Sequence, residues 1–102
     1  MGQQFVFKAS ELAPGNMRRV EIDGVAIAVV HAADGEFYAV SDICSHEESS
    51  LCEGWTYDTE IECPRHNAIF DLKSGEAVSL PATAPIATYV VTVSNDDVLV
   101  TL

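Results

Sequence analysis

At 102 residues the chain is long enough for one domain with a single core and too short for two. Hydrophobic residues make up 48% and charged residues 21%, an ordinary globular composition, but five Lys+Arg against sixteen Asp+Glu leave a net charge of −11. Part of that acidity serves solubility; the rest repels nucleic acid and anionic membrane and steers the chain toward a partner with a basic face.

The opening Met1-Gly2-Gln3-Gln4-Phe5-Val6 lacks the basic and apolar regions of a secretory signal. No apolar run approaches the roughly 20 residues of a membrane span. A soluble, cytoplasmic protein is therefore expected, with neither nucleic acid nor membrane as a partner. Phe5-Val6-Phe7-Lys8 reads as an opening strand, and Ser10-Glu11-Leu12-Ala13 as one helical turn stopped by Pro14-Gly15. Residues 18–22 alternate polar and apolar, and Asp23-Gly24 is a hairpin signal leading to the β-branched run 25–32. Asp34-Gly35 is a second turn before residues 36–40, which completes a three-stranded meander.

Periodicity then fails over residues 41–58, which read as a loop tied down by a ligand and not by its own packing. Residues 59–63 alternate again as a strand, residues 68–71 continue it, and Lys73-Ser74-Gly75-Glu76 turns. Pro81 and Pro85 bracket a stiff extended segment. Residues 87–93 and 98–102 form a terminal hairpin around Asn95-Asp96. No repeat, linker or low-complexity stretch interrupts the pattern. The expected architecture is all-β, built of short antiparallel strands.

The aperiodic region carries the chemistry. It reads Cys44-Ser45-His46, sixteen residues, then Cys63-Pro64-Arg65-His66. Thiolate and imidazole together suit zinc, iron and iron–sulfur centres. A zinc finger usually pairs Cys with Cys on one knuckle and His with His on a helix. Here each arm holds one of each, and Pro64 keeps the second arm from being helical. Three cysteines are an odd count, which excludes a fully paired disulfide framework. Cys52 lies outside the four-residue motif and reads as a small core filler. His31, in an apolar strand, reads as structural.

The arrangement Cys-x-His…Cys-x-x-His resembles the Rieske [2Fe–2S] motif, in which two His replace two Cys on one iron. The resemblance covers most of the chain. Leu51-Cys52-Glu53-Gly54, Cys63-Pro64-Arg65-His66, Phe70-Asp71, Ser74-Gly75, Leu80-Pro81-Ala82 and Tyr89 are similar to the pattern of Rieske ferredoxins that serve bacterial aromatic-ring dioxygenases. It implies one Rieske-like domain over residues 1–102, with the cluster-binding part at about 41–84. It implies one [2Fe–2S] cluster per chain, with Cys44 and Cys63 on the inner iron and His46 and His66 on the outer. The two imidazoles would be the electron port, and Pro81 with its neighbours would shield the cluster. In respiratory-chain Rieske proteins two further cysteines form a disulfide; Ser49 and Arg65 stand at those positions here, so that bridge cannot form. Those proteins also place Ser and Tyr hydroxyls near the cluster, where this chain has Ala68 and Phe70. With fewer hydrogen bonds to sulfur the reduced state is less stabilised, so the potential is expected toward the low end of the Rieske range, about −150 mV. Asn67 replaces the family's usual Gly, at a position where φ > 0 is expected and Asn is tolerated.

The function implied is a one-electron carrier, not an enzyme. It would take electrons from an NAD(P)H-dependent flavoprotein reductase and pass them to a terminal ring-hydroxylating oxygenase in aromatic hydrocarbon catabolism, acting as a monomer. A Rieske-like small subunit of a larger reductase such as nitrite reductase, or a Cys₂His₂ zinc-binding interaction module, are the alternatives. Oxygenase activity in the chain itself would need a 2-His-1-carboxylate iron site, and after the motif only His31 remains. Trp55, Leu51 and Pro81 are candidates for an apolar docking surface, with core packing as the other reading of Trp55. Glu47, Glu48 and Glu53 form either an acidic steering rim or a solvated loop. Arg65 either hydrogen-bonds near the cluster or faces water.

Overall fold

The computed structural model describes residues 2–43, 50–64, 68–78 and 84–102. Nine strands run through them: β1 (Gln3–Lys8), β2 (Asn16–Ile22), β3 (Val25–His31), β4 (Phe37–Ser41), β5 (Trp55–Tyr57), β6 (Glu60–Glu62), β7 (Ile69–Asp71), β8 (Thr88–Ser94) and β9 (Asp97–Thr101). Single 3₁₀ turns at Ala9–Glu11 and Leu51–Glu53 are the helical elements among the described residues. No helix there is long and apolar enough to cross a membrane.

The strands form two antiparallel sheets, one of six in the order β1-β9-β8-β4-β3-β2 and one of three in the order β5-β6-β7. The turn chemistry accounts for the hairpins. Asp23 and Gly24 both take positive φ (51° and 80°), as do Asn95 and Asp96 (51° and 70°). This lets Ile22 pair with Val25 and Ser94 with Asp97 across two-residue turns. In the β3–β4 turn Asp34 accepts from Glu36 N and from the Tyr38 hydroxyl, which fixes the reversal with a side chain. Together these bear out the meander and the terminal hairpin. One reading is corrected: Trp55–Tyr57, taken as loop, is a strand paired with β6. The segment is only three residues long, too short for alternation to be visible.

β3 joins the two cores. Ile27 and Val29 point to one side, where they pack with Phe7, Leu12, Ile22, Ala39, Val98 and Val100. Ala28 and Val30 point to the other and pack with Val40, Leu51, Ile61, Cys63, Ala68 and Phe70. The second core therefore lies between the large sheet and the small one. A strand buried on both faces needs a continuous apolar run, which Val-Ala-Ile-Ala-Val-Val supplies.

Candidate functional site

Cys44, His46, Glu47, Glu48, Ser49, Arg65, His66, Asn67 and Pro81 lie outside the described residues. What is described is the frame from which the two arms of the motif depart. Ile43 and Ser50 form an antiparallel bridge, so the chain entering residues 44–49 and the chain leaving them are paired. The second arm springs from the β6–β7 hairpin: Glu62 pairs with Ile69, and Cys63 N donates to Ala68 O at 2.7 Å. A third closure lies alongside, where Ile86 N donates to Gly75 O at 2.8 Å.

Cys63 is completely buried in the core between the sheets, beside Leu51, Ala68 and Phe70. It is the motif residue among those described. Its apolar surroundings, with the two-thiolate, two-imidazole donor set of the motif, fit a metal centre held partly by sulfur in a dry setting. Among the described residues no three His, Cys, Asp or Glu side chains are placed to hold a metal ion.

Sequence reasoning missed Asp42, two residues before Cys44. It is fully buried and is the buried charged side chain of the described core. Its carboxylate accepts from Ser50 Oγ (2.6 Å), Cys52 N (2.9 Å) and Arg19 Nε (3.1 Å). Its backbone N donates to Ala26 O, and its O accepts from Leu51 N. One residue thus ties the first arm's base to the 3₁₀ turn after it, to β2 and to β3. The only signal in the sequence is an acid directly after a strand and before a ligand-type residue.

Gly54 follows that turn with no room for a side chain. A Cβ there would overlap the carbonyl oxygen of Glu62, with Pro64 Cδ at 3.1 Å. Gly54→Ala is therefore expected to push the Leu51–Glu53 turn away from the second arm, at roughly 1–3 kcal/mol of overpacking. Thermal denaturation checks it, and an unchanged midpoint would remove the close approach from the account.

The other candidates divide. Cys52 is half-buried against the core, and burial followed by the nearby Asp42 carboxylate push its thiol pKa up, so it stays protonated as a filler would. His31 is structural: Nδ1 lies 2.7 Å from Leu12 O, and the ring stacks on Phe37 at 4.0 Å. Leu51 is fully buried and cannot line a docking surface, whereas Trp55 is 51% exposed, which removes core packing as its explanation.

Comparison with known proteins follows the same line. Residues 2–90 match the family model of the Rieske [2Fe-2S] domain. The 3-phenylpropionate/cinnamic acid dioxygenase ferredoxin subunit of Photorhabdus laumondii is 45% identical over 103 aligned residues, covering 100% of this chain and 96% of that protein. The ferredoxin of carbazole 1,9a-dioxygenase from Nocardioides aromaticivorans superposes with a TM-score of 0.93 at 34% identity, covering 99% of this chain and 98% of that one. A chain in the complex of reduced oxygenase and oxidised ferredoxin of carbazole 1,9a-dioxygenase gives 0.90 at 36% identity, covering 96% and 100%.

Proposed function

This chain belongs to the Rieske [2Fe–2S] domain family, and from that membership we propose that Cys44, His46, Cys63 and His66 are the ligands of its cluster within a single domain of residues 1–102. The observation that supports the assignment is the buried Cys63 thiol at the head of the β6–β7 hairpin, in a motif of two thiolates and two imidazoles. A bound [2Fe–2S] group supplies reversible one-electron chemistry. The chain's own part is to present the donors, keep water from the Cys63 side and hold the arms in place through Asp42. The protein is an electron carrier and not a catalyst, as are the ferredoxin subunits to which it is similar. It accepts electrons from an NAD(P)H-dependent flavoprotein reductase and delivers them to a terminal aromatic-ring oxygenase. A related ferredoxin has been captured with such an oxygenase. The reading places the chain in the cytoplasm, where NAD(P)H is regenerated.

The test is EPR of the dithionite-reduced protein beside its iron and sulfide content. Two irons, two sulfides and an average g-value below that of an all-cysteine cluster are the expected result. A colourless protein holding zinc would overturn it. Phe70 offers a second check. Its ring is fully buried in the same core as Cys63 and Ala68, and neither Phe70 nor Ala68 carries a hydroxyl. Phe70→Tyr is expected to raise the potential from the low end of the range, about −150 mV, by adding a donor. Voltammetry reads the shift, and an unchanged potential would discredit the hydrogen-bond account.

A further inference from the structure

The three-stranded sheet has two unlike faces. Thr56, Ile61 and Phe70 form the row that turns toward the core, with Ile61 and Phe70 fully buried. The alternate rows face outward. Trp55 pairs with Glu62 and Glu62 with Ile69, while Tyr57 pairs with Glu60 and Glu60 with Asp71. Trp55 and Tyr57 are each 51% exposed, and the nearby Glu62 carboxylate raises the Tyr57 hydroxyl pKa above its ordinary value. Between this strand and the start of β2 opens a cleft of about 320 Å³, lined by Gly15, Asn16, Met17 and Cys52 with the two aromatics.

Every charged member of the outer face is a carboxylate. The four ion pairs among the described residues join Lys8 to Asp97, Arg18 to Glu11, and Arg19 to both Glu21 and the buried Asp42, and none involves this face. Of the remaining cations, Lys73 sits in the turn after β7 and Arg65 lies outside the described residues.

We infer that this face is a docking surface for the terminal oxygenase, engaged by arginine side chains of a basic partner face. Guanidinium groups pair with carboxylates in a fork and stack on aromatic rings, so one residue type satisfies both halves of the face. Exposed Trp and Tyr are the usual anchors of interfaces, and the cleft beside them takes an apolar side chain. The same two strands, β6 and β7, carry the second arm, so a partner seated here lies next to the motif. A second copy of this chain is disfavoured by charge, since carboxylates would face carboxylates on a molecule of net −11.

The inference rests on the carrier reading, and the experiment separates the two. Cluster-loaded wild type, Trp55→Ala and Glu60→Gln/Glu62→Gln are titrated against the oxygenase component of a 3-phenylpropionate/cinnamic acid dioxygenase, after visible and EPR spectra show the variants loaded. Trp55→Ala is expected to weaken binding about tenfold or more. Glu60→Gln/Glu62→Gln is expected to flatten the salt dependence of association. Reduction by the flavoprotein reductase should change less than oxygenase binding in both variants. Unchanged oxygenase affinity and salt dependence would overturn the docking face alone. So would an effect confined to the reductase, or one confined to self-association in sedimentation. A loaded wild type that neither binds nor reduces the oxygenase would overturn the carrier pairing as well.

Discussion

Cys63→Ser is expected to yield a colourless protein that keeps its β-fold. The thiolate is the nucleophile and metal ligand in such sites, and a serine hydroxyl does not ionise to replace it. Because the side chain is completely buried, water cannot reach in as a substitute donor. Iron and sulfide content should fall from two each per chain to near zero, with the visible bands and the reduced-state EPR signal lost together. Circular dichroism should remain that of a β protein, because the strands on either side of Cys63 are held by backbone pairing and by the apolar side chains of the core. The melting temperature should still drop, since a bound metal group stabilises the folded state by mass action. A variant that retains two irons and its EPR signal would remove Cys63 from the ligand set.

Asp42→Ala should damage the same site without touching a ligand. It leaves Ser50 Oγ and Cys52 N without their acceptor, each at roughly 1–3 kcal/mol for a buried donor. Arg19 is nearly half exposed and keeps Glu21 at 2.9 Å, so its loss is the smallest. In a domain whose total stability is about 5–15 kcal/mol, the combined effect should lower Tm by roughly 10 °C or more. The first arm loses the group that pairs its base, so the cluster should also be released faster to an iron chelator. Asp42→Asn keeps one acceptor oxygen and should fall between the two. A Tm within about 2 °C of wild type, with unchanged chelator kinetics, would show that the network is incidental.

The strands that could be read from the sequence are those with a local signal. β2, β3 and β4 announce themselves through alternation and through Asp23-Gly24 and Asp34-Gly35, and the terminal hairpin through Asn95-Asp96. In three of these residues, Asp23, Asn95 and Asp96, a short polar side chain tolerates positive φ. Trp55–Tyr57 was hidden because three residues cannot display a period. Its cue was high β-propensity between Gly54 and Asp58, whose φ is +47°. The chemistry was legible because Cys and His at fixed spacing have few other uses. Asp42 was not, because its role depends on partners 8, 10 and 23 residues away in the chain. Leu51 was misjudged for a related reason: proximity to the motif suggested a surface, whereas the 3₁₀ turn directs the side chain into the core.

Three backbone closures bracket segments of the chain that include or follow the motif: Ile43 with Ser50, Cys63 with Ala68, and Gly75 with Ile86. Each is a backbone pairing anchored to strands whose apolar residues come almost entirely from outside the motif. The consequence concerns the order of manufacture. The chain is expected to fold before iron and sulfide arrive, so the cluster-free protein should already give the circular dichroism of a β protein, and a disordered spectrum before reconstitution would overturn this. Oxidative loss of the metal would then be an injury that a cell repairs by reloading the same molecule, sparing both its degradation and a new round of synthesis.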